Sequence, residues 1–295
     1  LVINKVIAIF AGPSGLAIVG QLQNAVLIIN TFAQGGINSG LTKYTAEYRN
    51  KPEELANLWG GSLRIILACS CVIGVVLVSF ANKLSLLVLK DVQYTYVMIV
   101  FGCTVILFAL NQMLISILNG LKEIRALTII SILQSIYALI FTTILIIFFG
   151  IDGALIGLVT NQSVVFFIVL FALRKHTSIK LEIFKRKLKG NNFKKLFAFS
   201  AMAFTSALFT PGAYLFIRNE IGSSISWDHA GYWQGMVYIS SMYLLGISTA
   251  LQTYYLPKLS ETTDKRLIRT ELKNGLILFL PLVMAMSLAI FLARG

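Results

Sequence analysis

Two sets of neutral polar residues inside apolar sequence are the groups in this chain best placed to do chemistry. Asn24, Thr31, Asn38 and Thr42 recur at helical spacing with Ile28 and Gly35, so on one continuous helix they form a single stripe. Gln234, Tyr238, Ser241, Ser248 and Gln252 repeat the pattern with Leu245. Burying an unpaired amide or hydroxyl in hydrocarbon costs about several kcal/mol, so such stripes must face water, a ligand or another helix. A hydrated cavity would use both stripes, and so would hydrogen bonding between packed helices. Asn111, Gln112, Gln134, Asn161 and Gln162 lie in similar surroundings without a clear stripe, which favours packing.

The ionisable residues narrow the chemistry. Asp91, Asp152, Glu220 and Asp228 sit at the ends of apolar runs or between them, and the cations nearest the runs are Lys5 and Arg218. A cavity with cations and without carboxylates would suit an anionic substrate. The alternative is that Arg218 extends its stem to the membrane surface and Lys5 pairs elsewhere. The sequence holds no phosphate-binding glycine loop, paired metal-ligand histidines or nucleophile elbow. His176 and His229 are isolated, and Cys69, Cys71 and Cys103 lie within apolar runs, without the spacing of a zinc site or a disulfide framework. No catalytic residue, metal or cofactor is expected.

The elements that would position these residues are membrane spans. Mean hydropathy is +0.81, with 57% apolar and 13% charged residues, far from the range of a soluble domain. A half span, Leu1 to Ala11, precedes spans at Leu16 to Thr42, Leu63 to Ala81, Thr95 to Leu118, Ala126 to Phe149, Ala154 to Leu173, Leu196 to Ile217, Gly231 to Leu256 and Gly275 to Leu292. That predicts about nine crossings, with tight connections at Gly12–Gly15 and Gly150–Gly153. Of the 25 Lys and Arg, 20 fall in Lys43 to Arg64, Lys122 to Arg125, Arg174 to Lys195 and Lys258 to Lys273. The positive-inside rule places these four segments in the cytoplasm. Although the net charge is +13, the cations flank apolar spans, so membrane lipids rather than nucleic acid are the expected partner.

Residues 174–195 hold nine cations and an apolar face, as a basic amphipathic helix on the inner leaflet would. They divide the chain into a bundle at 1–173, a linker at 174–195 and the first part of a second bundle at 196–295. A weak internal echo supports this division: Gly-Pro-Ser-Gly15, a long span and Thr42-Lys43-Tyr44 recur as His229-Ala230-Gly231, a long span and Pro257-Lys258-Leu259. The chain begins without Met inside an apolar run, so the start of the first helix is expected to be missing. If the second bundle matches the first, about three further spans follow. The expected fold is all-α and polytopic, two pseudo-repeated six-helix bundles of which this chain is a fragment.

The run SWDHAGYWQGMVYISSMYLLGISTALQTYYLPKLSETT, from Ser226 to Thr263, resembles the Wzx oligosaccharide-lipid flippases, and particularly their enterobacterial common antigen branch. Its specific part is Ser226-Trp227-Asp228, Gly231, Trp233-Gln234-Gly235 and Leu256-Pro257. FAGPSGLA and INSGLTKYTAEY, with Asn38, Gly40, Thr42, Lys43 and Tyr44, resemble the same family. Elsewhere the likeness lies in the spacing of spans. The resemblance implies the multidrug, oligosaccharidyl-lipid and polysaccharide exporter superfamily, with a MATE-like fold of two bundles around a central cavity working by alternating access. It implies a bacterial inner-membrane protein that is not an enzyme. Its implied substrate is an undecaprenyl-pyrophosphate-linked glycan, an O-antigen or enterobacterial common antigen repeat unit, and its implied partners include the polysaccharide polymerase and chain-length machinery. A cation-coupled drug exporter of the same superfamily is the nearest rival, and it would be expected to carry a carboxylate in its cavity. A membrane polymerase or ligase would be expected to carry a large outer loop.

Overall fold

Glycine and proline break an otherwise unrelieved apolar sequence into helical arms. The computed structural model describes residues 2–173 and 190–250 and, between 273 and 292, a set of helical positions; side chains are described for 3–170, 196–242 and isolated positions beyond. Helix α1 (Val2–Ala33) leaves helical geometry at Gly12 (φ 69°, ψ −174°), just before Pro13. Ile3, Ile7, Val19 and Gln23 line one cleft, although Ile3 and Gln23 would stand about 30 Å apart on a straight helix. The chain therefore doubles back at Gly12. Helices α2 (Asn38–Glu47), α3 (Pro52–Ser79) and α4 (Ala81–Leu89) follow, then a 3-10 turn (Val92–Tyr94) and α5 (Thr95–Gly120). Helix α6 (Ile124–Leu173) reverses at Gly150 (φ 56°), where a Cβ on Gly157 would touch Thr142 at 3.3 Å and one on Gly153 would meet the Leu145 carbonyl. Helices α7 (Gly190–Ser224) and α8 (Trp227–Ala250) complete the continuous elements.

All regular elements among the described residues are helical. Counting α1 and α6 as two arms each, and adding α3, α5, α7, α8 and the helical residues at 273–292, the described residues hold nine long helical segments, in keeping with the expected number. Five described helices are long and apolar enough to span a membrane. This is an all-α, multi-pass membrane protein. Exposed Val72, Val75, Val76 and Val78 on α3 and Ile129, Ile132, Ile136 and Ile140 on α6 supply surface suited to acyl chains.

By contact, the chain groups into Leu1–Gly231 and Tyr232–Gly295. The first unit is held by close helix crossings at small residues. A Cβ on Gly74 of α3 would come within 2.8 Å of the Gly102 carbonyl on α5, and one on Gly102 within 2.9 Å of the Gly74 carbonyl. Packing through small residues replaces the hydrophobic drive that lipid abolishes. At the basic end of this unit Leu41, Tyr44, Trp59, Ile66, Met113, Ile117 and Leu196 form an apolar core, and Trp59 Nε1 donates to Thr45 Oγ1 at 3.1 Å. The second unit contains the greater part of α8 and the helical residues at 273–292. Residues 174–189, which carry most of the expected basic linker, lie outside the described residues.

Candidate functional site

The span expected from Leu16 to Thr42 is not one helix. Helix α1 stops at Ala33, the chain turns through Gln34–Ile37 with Gly35 and Gly36 at φ 63° and 66°, and α2 starts afresh at Asn38. Consecutive left-handed glycines end the helix because other residues adopt that conformation only with strain. Helix α7 clamps the break. Ser200 Oγ donates to the Gly35 carbonyl at 2.7 Å, a Cβ on Gly36 would lie 3.0 Å from Ser200 Cα, and Phe32 stacks on Phe204 at 4.7 Å.

A cleft of about 350 Å³ opens at this break. Its polar lining is Thr31, Gln34, Asn38, Ser39 and Ser206, and its apolar wall includes Leu27, Ala203 and Pro211. Among the described residues, no carboxylate or cation lines it. Asn38 Nδ2 donates to Gln34 Oε1, while Asn38 Oδ1 is buried without a hydrogen-bond partner. The cap position of α2, Ile37, has no side-chain acceptor to offer the first-turn N–H groups. An uncapped helix start beside hydroxyls and carboxamides suits a ligand with sugar hydroxyls and phosphate oxygens.

The remaining expected residues fall in several places. Thr42 turns from the cleft and donates to the Ser116 carbonyl of α5 at 3.2 Å. Asn24 donates to the Gly20 carbonyl of its own helix at 3.1 Å. Lys5 is exposed on the first arm of α1. Arg218 is fully buried between α7 and α1, donating from Nη1 to Gln21 Oε1 at 2.7 Å. On α8, Gln234 is buried, Tyr238 is half-buried, and exposed Ser241 donates to the Val237 carbonyl at 2.7 Å. Ser248 lies on α8 with its side chain outside the described residues, and Gln252 lies outside them altogether.

Sequence reasoning missed Gln34, Ser39, Ser206 and Gln21. The Gly35-Gly36 pair was a partial signal for the first two, since each glycine weakens a helix by about 1 kcal/mol, although Gly60 and Gly61 continue α3. Ser206 and Gln21 carried no local signal, because only the docking of α7 on α1 gives them roles.

The family-like segments hold the helices together. In INSGLTKYTAEY, Gly40 accepts the Leu196 and Phe199 side chains, Thr42 reaches α5, and Lys43 Nζ lies 5.5 and 5.4 Å from the Tyr44 and Phe199 ring centroids. In SWDHAG, Ser226 Oγ accepts the His229 backbone N–H at 3.3 Å as an N-cap, and Trp227 covers Gly222. Gly231 lies so close to the Pro13 carbonyl that a Cβ there would overlap it.

A model of a family described as polysaccharide biosynthesis protein matches residues 1–263. The chain is 28% identical over 294 residues to the Lipid III flippase of Escherichia coli strain K12, covering 100% of this chain and 71% of the relative. The same values hold for the Lipid III flippase of Shigella flexneri. Among solved structures, the chain is similar to an inward-facing multidrug resistance MATE family transporter of the MOP superfamily. That TM-score is 0.68 at 17% identity, with 97% of this chain and 70% of the other covered. The structural likeness shows a MATE-like fold.

Proposed function

Because the chain belongs to the polysaccharide biosynthesis protein family, we propose that it is a flippase for a polyprenyl-pyrophosphate-linked glycan, acting in the bacterial inner membrane. The observation that carries this reading is the cleft at the break between α1 and α2, walled by α7, which sets carboxamides and hydroxyls against an apolar wall and, among the described residues, has no ionisable group in its lining. Passing a glycan lipid across a membrane requires shielding sugar hydroxyls and a pyrophosphate while the polyprenyl tail remains in lipid. The carboxamides of Gln34 and Asn38 and the hydroxyls of Thr31, Ser39 and Ser206 offer donors and acceptors to sugars, and the start of α2 offers N–H groups to phosphate oxygens. The similarity to Lipid III flippases supports the substrate class, with an O-antigen or enterobacterial common antigen unit as the glycan. Polymerase and chain-length machinery would then receive the product.

The task is transport without bond-making. With the basic segments in the cytoplasm, moving about two negative charges outward across an inside-negative membrane is favoured by roughly 2.3 kcal/mol per charge per 100 mV, without nucleotide hydrolysis. The substrate path draws first on Thr31 and Asn38. Lys5, Arg218 and the α8 residues Gln234, Tyr238, Ser241, Ser248 and Gln252 contribute as the bundles rock.

The test is transport of lipid-linked glycan by the protein in vesicles. Asn38→Leu and Ser206→Leu each remove cleft polarity and should lower transport about tenfold, roughly the value of one lost hydrogen bond to a charged or buried group, with abundance unchanged. Undiminished transport would overturn the reading. Efflux of a cationic dye driven by an ion gradient, without glycan-lipid transport, would establish the drug-exporter alternative instead.

A further inference from the structure

We infer that a second cleft, inside the bundle of α1, α5 and α6, is a binding subsite for a neutral sugar ring of the transported glycan. The inference rests on the flippase reading and adds a location that the polar stripes do not predict. The cleft measures about 380 Å³, and Gln23 of α1 with Thr142, Asn161 and Gln162 of α6 supplies its polar groups. Phe108 of α5 stands on the apolar wall. Asn111, itself fully buried, donates from Nδ2 to Gln162 Oε1 at 2.8 Å. With that oxygen engaged, the Gln162 amide is left to act toward the cleft as a donor. Asn161 Oδ1 is a buried acceptor without a hydrogen-bond partner.

An acceptor and a donor on adjacent residues, set against an apolar wall with an aromatic ring, match the two faces of a pyranose. Its hydroxyls both donate and accept, and its C–H face is apolar. The described lining carries no ionisable group, which fits a neutral ligand. A hard cation would need several converging oxygens, whereas the Gln162 oxygen is turned to Asn111.

Leu27 connects this subsite to the cleft at the helix break, because it lines both. It is 56% exposed, so it forms a sill that a larger residue can raise without disturbing the core. A short glycan is held at the break alone, and a longer one extends past Leu27 into the bundle.

The experiment uses the protein in vesicles with polyprenyl pyrophosphates carrying one or three N-acetylhexosamine residues, with and without sodium. Thr142→Val and Asn161→Leu, at residues that line the second cleft and not the first, should each reduce transport of the three-sugar probe about tenfold and of the one-sugar probe by less than about twofold, the difference being that of one or two hydrogen bonds. Equal losses on both probes, or none on either, would overturn the subsite. So would a loss confined to sodium-stimulated transport, which would identify a cation site. If the unaltered protein moves neither probe, the flippase reading falls and the subsite with it. Thermal melting in detergent separates these outcomes from misfolding, and the near-isosteric Thr142→Val gives a variant that keeps its fold.

Discussion

The second arm of α1 begins and ends in a glycine-containing break, and the two breaks are built to opposite effect. At Gly12–Pro13 the chain reverses and the Pro13 carbonyl is met by the backbone of Gly231 without room for a methyl group. At Gly35–Gly36 the chain turns sideways onto Ser200 of α7 and leaves a polar cleft beside it. Apolar neighbours and a missing Cβ close one end, whereas hydroxyls and carboxamides keep the other open. The basic segment from Lys43 to Arg64 lies at the open end and the short turn Gly12–Gly15 at the closed one. Orienting the protein by its charge thus directs the cleft toward the cytoplasm. Under the proposed function, a lipid-linked glycan made in the cytoplasmic leaflet would enter there.

The strongest break of this comparison is Gly231→Leu. Its side chain cannot coexist with the Pro13 carbonyl, so the α1 turn and the start of α8 must part, at a cost of about 3 kcal/mol. A large fall in melting temperature in detergent is the expected readout, and an unchanged one would mean that the closed end is not held there. Gln21→Leu comes next. Removing one acceptor of a buried guanidinium should cost about 2 kcal/mol by the same measurement, whereas Gln21→Glu, which keeps an acceptor, should be tolerated better.

Smaller effects separate the two glycine breaks. Gly36→Ala combines a left-handed backbone with a Cβ 3.0 Å from Ser200, and should cost about 2 kcal/mol. Gly12→Ala meets nothing within 4 Å, so it carries only the backbone penalty at φ 69°, ψ −174°, a conformation nearly confined to glycine, of roughly 1–3 kcal/mol. If Gly36→Ala melts as the parent protein does, the docking of the open break on α7 contributes nothing.

The spans were readable because lipid demands long apolar runs, and the turns at Gly12–Gly15 and Gly150–Gly153 were readable because turn formers interrupt them. The break at Gly35–Gly36 was hidden by its surroundings. Polar residues continue through it at helical spacing from Asn24 to Thr42, as though the helix never stopped. Half the stripe consequently serves other ends. Thr31 and Asn38 reach the cleft, while Thr42 faces Ser116 and Asn24 satisfies itself on Gly20. The burial of Arg218 was not legible either, since its neutral partner Gln21 lies 197 positions away in sequence. Asn111, Asn161 and Gln162 share no stripe because two helices bring them together.

Accessibility of the open cleft tests the account most directly. In a variant with Cys69, Cys71 and Cys103 replaced by Ala and Ser206→Cys introduced, a membrane-impermeant thiol reagent should label inside-out vesicles and leave intact cells unlabelled. Added glycan-lipid substrate should slow the labelling. Labelling of intact cells, or a rate indifferent to substrate, would contradict a cytoplasm-facing glycan cleft between α1, α2 and α7.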